Sequence, residues 1–137
     1  MKMKSKGFFL LALFIAIICA GFSGAYGQDN KDVTVKDAAS LVEKNRGNKD
    51  FTILDVRTKE EFDEGHLEGA LNIDVKSETF REDIASLDRG KTYLVYCRSG
   101  KRSKMAQGIM EEMKFKKVIN MKGGFMDWSK EGHPYKK

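Results

Sequence analysis

The sequence predicts an α/β domain: a parallel sheet of about five short strands with helices on both faces. Three observations carry this. β-prone runs and runs with helical periodicity alternate at short spacing from residue 33 onward. Two of the β-prone runs, 51–56 (FTILDV) and 92–96 (TYLVY), are mostly apolar, as strands covered on both faces are. No repeat or low-complexity segment interrupts the alternation.

Taken in order, Val33-Thr34-Val35 reads as a short strand, followed by a helix over 36–44 with Ala38, Ala39, Leu41 and Val42 apolar. Residues 45–50 form a polar turn around Gly47, and 51–56 is the next strand. Thr58 is placed to cap a second helix, with Glu60 and Glu61 in the first turn, where the helix dipole favours acids. That helix ends near Gly65. Residues 70–73 read as a strand, and 79–87 as a helix with Phe80, Ile84 and Leu87 on one face. After the turn Asp88-Arg89-Gly90, the run 92–96 is the central strand, and it delivers Cys97 at its carboxyl end. A helix is expected over about 102–113 and a short strand at Val118-Ile119. Gly123-Gly124 then opens a last helix through Trp128.

The first residues stand apart from this pattern. Lys2, Lys4 and Lys6 precede an uncharged apolar run over 8–20, shorter than the roughly 20 residues a bilayer span needs. Small residues follow, with a cleavage site at Ala25-Tyr26-Gly27. The expected organisation is a cleaved signal peptide over 1–27, a polar tether over 28–32 and one domain over 33–137, exported to the periplasm or another extracytoplasmic space. The alternative is an uncleaved N-terminal membrane anchor. Ile17 and Ile18 before Cys19 do not match a lipidation site.

Three of the 25 Lys and Arg residues and none of the 20 acids fall in the leader, so the net charge drops from +5 to +2 without it. No basic stripe with interleaved aromatics points to nucleic acid, and no cysteine or histidine spacing points to zinc. Without the leader Cys97 is the only cysteine, so no internal disulfide forms, and about 110 residues must rely on their core. The methionines at 105, 110, 113, 121 and 126 read as packing residues.

Chemistry concentrates at Cys97-Arg98-Ser99-Gly100-Lys101-Arg102-Ser103. In open α/β sheets, ligands bind beyond the carboxyl ends of the strands, where this segment falls. Three cations within six residues, with no acid among them, should favour thiolate and attract an anion. Gly100 permits a tight turn. The following helix directs free N–H groups back at the loop.

This loop resembles that of rhodanese-like sulfurtransferases, Cys-x-x-Gly-x-Arg followed by Ser. A second matching block runs from Leu54-Asp55-Val56-Arg57 through Glu60-Glu61-Phe62 to Gly65-His66-Leu67-Glu68-Gly69-Ala70-Leu71-Asn72-Ile73. A third runs from Gly123-Gly124-Phe125 to Trp128 and closes with Gly132-His133-Pro134. The likeness covers 33–137 and is strongest to small periplasmic single-domain members. It implies a rhodanese-like sheet and a ping-pong sulfur transfer through a Cys97 persulfide. The donor is a small thiosulfate-like anion and the acceptor cyanide or a thiol; no cofactor or metal is called for. On this reading Arg98 and Lys101 recruit the donor, Arg102 orders the loop and supports the negative sulfur, and the amides from Arg98 to Ser103 form the cradle. Asp55 and Arg57 match an Asp-x-Arg pair whose role is chiefly structural, Asp55 being placed to hold a loop arginine. His66 and His133 are expected to be structural. One departure stands out: Asp74 occupies the place after Asn-Ile where the family often has proline, which bears on donor selectivity.

Three rival readings follow from the same cysteine. A phosphatase of the Cys-x5-Arg type would need its arginine one position later than Arg102, where Ser103 stands. A sulfur carrier would load as the enzyme does but release slowly. A redox sensor would want a resolving cysteine. The expected state is a monomer.

Overall fold

The computed structural model describes residues 30–137; the leader and the first residues of the tether lie outside them. Five strands, β1 (Lys31–Val33), β2 (Phe51–Asp55), β3 (Leu71–Asn72), β4 (Thr92–Tyr96) and β5 (Lys117–Met121), form one parallel sheet in the order β1-β5-β4-β2-β3. Five helices connect or follow them: α1 (Val35–Lys44), α2 (Lys59–Glu64), α3 (Phe80–Ala85), α4 (Lys101–Glu112) and α5 (Gly124–Lys130).

Successive side chains of a strand point to opposite faces, and the central strand shows what each face buries. Tyr93, Val95 and, just beyond the strand, Cys97 join Phe80 and Ile84 of α3 and Ala106 and Met110 of α4. Leu94 and Tyr96 join Val35 and Ala38 of α1 and Trp128 of α5 on the other side. Both faces of β4 are therefore covered, as its continuous apolar run requires.

Local signals account for the helix starts. The Thr34 side chain accepts the Asp37 amide at 3.2 Å, so α1 begins at Val35. Thr58 and Glu61 form a reciprocal capping box at the start of α2.

The structure differs from the sequence reading at three places. The first strand lies two residues earlier than expected: Lys31 and Asp32, assigned to the tether, pair with Ile119 and Asn120, and Thr34 caps α1 instead of joining the strand. The third strand is shorter than 70–73, because only Leu71 and Asn72 run in ladder register with β2 at the sheet edge. Of the methionines, Met110 and Met121 are fully buried, but Met105 and Met126 are exposed and pack no core.

Candidate active site

Cys97 follows β4 directly, and Gly100 is the N-cap of α4, so the loop is only as long as the turn between strand and helix. Gly100 has φ 102°, a left-handed conformation that glycine adopts without the penalty a Cβ would bring. A Cβ there would also stand 3.2 Å from the Gly123 nitrogen.

This turn bends the chain around the sulfur. The Gly100 amide donates to Cys97 Sγ at 3.1 Å and the Ser103 hydroxyl donates to it at 3.4 Å. Cys97 is 1 % exposed, and burial by itself pushes the thiol up. The Ser103 hydroxyl and the amides of Ser103, Gly100 and Ser99 outweigh that burial and hold the thiol below its ordinary value. The thiolate is thus favoured mainly by neutral hydrogen-bond donors and not by the loop cations that the sequence points to.

The far side of the loop is fixed by α5. The amides of Phe125 and Met126 donate to the carbonyls of Cys97 and Arg98, at 2.8 and 3.0 Å. In a trans peptide the C=O and the next N–H point in opposite directions. Holding the Arg98 carbonyl against α5 therefore turns the Ser99 amide inward, toward the sulfur. Gly124 makes this approach possible: a Cβ on it would lie 2.5 Å from the Cys97 oxygen and from the Arg98 carbonyl.

The predicted site residues separate into three groups. Ser99, Gly100 and Ser103 form the cradle with Cys97. Arg98 and Lys101 are exposed at the rim, and no acid among the described residues forms an ion pair with either. The Arg102 guanidinium, expected to support the sulfur, is clamped instead by Glu61, with Nη1 2.7 Å from Oε2 and Nη2 2.8 Å from Oε1.

Asp55 and Arg57 are brought together, but Asp55 does not hold a loop arginine. It holds Arg57, whose Nη2 lies 2.6 Å from Asp55 Oδ2 and also donates to the Gly65 carbonyl at 2.6 Å. The Arg57 guanidinium stacks over Phe125 at 4.4 Å, so the buried pair braces the start of α5. The acid that holds the loop arginine is Glu61. Its pKa falls to about 2, chiefly through the Arg102 hydrogen bonds, with burial opposing and Thr58 assisting. His66 bonds the Phe62 carbonyl at 2.9 Å and pairs through its backbone with Lys136, while His133 lies against Trp128. Neither histidine hydrogen-bonds to Cys97.

A groove of about 590 Å³ lies elsewhere, lined by Phe51, Thr52, Leu67, Trp128 and Tyr135 among others and by none of the loop residues. Since Phe51 and Thr52 start β2, the groove reaches the amino-terminal end of that strand, whereas Cys97 leaves the carboxyl end of β4.

The fold and the cradle define a parallel α/β domain that presents, at a strand end, a cysteine thiol held low by hydrogen-bond donors. More narrowly, the model of the rhodanese-like domain matches residues 38–131, and the chain belongs to that family. The putative sulfurtransferase YtwF of Bacillus subtilis is 36% identical over 96 residues, covering 70% of this chain and 90% of that one. The thiosulfate sulfurtransferase PspE of Escherichia coli is 38% identical over 74 residues, 54% of this chain and 70% of its own length. Among solved structures, the rhodanese-related protein of Thermoplasma volcanium superposes with a TM-score of 0.64 at 29% identity, covering 77% of this chain and 97% of that one. Sulfur transfer is the activity this family membership supports.

Proposed function

We propose that the protein is a sulfurtransferase of the thiosulfate type, with Cys97 as the sulfur-carrying nucleophile. The observation that carries this reading is the recessed Cys97 sulfur, ringed by the Gly100, Ser99 and Ser103 donors that hold its thiol low. Such a ring suits one negative sulfur atom, first the thiolate and then the outer sulfur of a persulfide.

The thiolate attacks the sulfane sulfur of thiosulfate. A Cys97 S–S bond forms, the sulfane bond to the sulfonate breaks, and sulfite leaves with the bonding pair. Cyanide or a thiolate then takes the outer sulfur and returns the Cys97 thiolate. Arg98 and Lys101, exposed at the rim, attract the anionic donor. The basic residues before the uncharged run 8–20 support export.

Intact-mass spectrometry after incubation with thiosulfate tests the reading, with Cys97→Ser beside the wild type. A gain of one sulfur atom on the wild type alone, removed by cyanide with release of thiocyanate, is expected. No gain on a verified reduced Cys97 would sink the thiosulfate mechanism, and loading without turnover would make the protein a carrier.

A further inference from the structure

One acid near the carboxyl ends of β2 and β4 has no part in the sulfur chemistry described so far. Asp74 lies between Ile73 and Val75, whose amides donate to the carbonyls of Asp55 and Val56 at 2.9 and 3.1 Å. The Val56 amide in turn donates to the Tyr96 carbonyl at 3.0 Å, one residue before Cys97. Residue 74 is therefore registered against the strand ends from which the Cys97 loop emerges. Val75 belongs to the same buried cluster as Cys97, and Ile73 packs against it.

The Asp74 carboxylate, half-buried, accepts the Lys76 amide at 2.8 Å and acts electrostatically on the Arg102 guanidinium. Arg102 is already neutralised by its two-point contact with Glu61. Asp74 itself forms no ion pair among the described residues, and its negative charge adds to a neighbourhood in which Arg98 and Lys101 stand exposed on the loop.

We propose that Asp74 is a specificity-determining residue of the donor entrance, disfavouring doubly charged sulfur donors relative to singly charged ones. The inference rests on the sulfur-transfer reading above. A fixed charge acts on a ligand in proportion to the ligand's own charge, so an acid at the entrance penalises a dianion twice as much as a monoanion.

Thiosulfate and methanethiosulfonate form a matched pair for the test. Each offers a sulfane sulfur on an oxidised sulfur, and the first carries one more negative charge. With methanethiosulfonate the Cys97 thiolate takes the sulfane sulfur, the S–S bond of the donor breaks, and methanesulfinate leaves with the bonding pair.

Steady-state transfer to cyanide is measured for the full chain, Asp74→Asn and Asp74→Glu with both donors. Asparagine keeps an oxygen for the Lys76 amide and removes only the charge. Asp74→Asn is expected to raise kcat/KM for thiosulfate about three- to fivefold and for methanethiosulfonate only about twofold, the square root of the first gain, with Asp74→Glu keeping the wild-type ratio. Equal gains with both donors, no gain, or a gain in Asp74→Glu as well would overturn the proposal and leave sulfur transfer intact. Wild type that transfers sulfur from neither donor would overturn the sulfur-transfer reading and this proposal with it.

Discussion

At Cys97, burial and hydrogen bonding act in opposite directions, and the donors prevail. Removing one donor should shift the balance by a measurable amount. Ser103→Ala takes away the hydroxyl at 3.4 Å and leaves the amides. The thiol pKa should rise, read as a shift to higher pH in the profile of alkylation by iodoacetamide. An unchanged profile would mean that the amides alone set the reactivity. Glu61 carries a second prediction. Its folded pKa is depressed to about 2 from an ordinary 4.5. Its contribution to stability is therefore complete above about 4.5 and is lost as pH falls toward 2. Glu61→Gln should lower stability at neutral pH and flatten the acid side of the stability profile, measured by urea unfolding between pH 2 and 7. The cradle around Cys97 was legible because the cysteine, the glycine and the serine lie within one short stretch. The sequence did not reveal that Glu61 holds Arg102, because a first-turn acid already has a sufficient local reason to be there. The real partner lies 41 positions along the chain. Asp55 pairs with Arg57 and not with a loop arginine for a related reason: the sequence brings several arginines near the strand ends, and only folding decides among them.

Between elements, the loop depends on a division of labour between two helix starts. The amides that begin α4 face the sulfur, and those that begin α5 face the loop carbonyls. Gly124→Ala should disturb this more than its size implies, since the new Cβ meets backbone at 2.5 Å and not a yielding side chain. A cost of roughly 2–3 kcal/mol is expected from forcing that contact, together with slower persulfide loading. Calorimetry and thiosulfate turnover would check both, and a variant with wild-type turnover would show that α5 does not orient the loop. Element types and order were legible in the sequence because β2 and β4 are short, mostly apolar runs and because Thr58, Gly100 and Gly123 mark helix starts. The edges were less so. A two-residue strand at the rim of the sheet leaves almost no pattern, and Thr34 satisfies a strand or a cap equally well until α1 is seen to use it. The exposed Met105 and Met126 show a similar limit, because methionine suits a core or a surface equally and only the phase of the helix decides.

For the molecule as a whole, β4 is the strand on which both cores close. Leu94, fully buried, faces α1 and α5, while its neighbours Tyr93 and Val95 face α3 and α4. Leu94→Ala should cost about 2–5 kcal/mol and lower Tm by roughly 10 °C or more. The thiol of the folded fraction should keep its alkylation profile, because the cradle is untouched. A changed profile in folded protein would tie the site to core packing more tightly than the contacts do. The grip of α5 on the Cys97 and Arg98 carbonyls also sets an order in time. Cys97 leaves the ribosome well before residues 124–126, and the cradle has no back wall until they fold into place. Until then nothing holds the Arg98 carbonyl, and the Ser99 amide is free to turn away from the sulfur. A thiol-reactive dye applied during refolding is therefore expected to report when α5 closes against the loop.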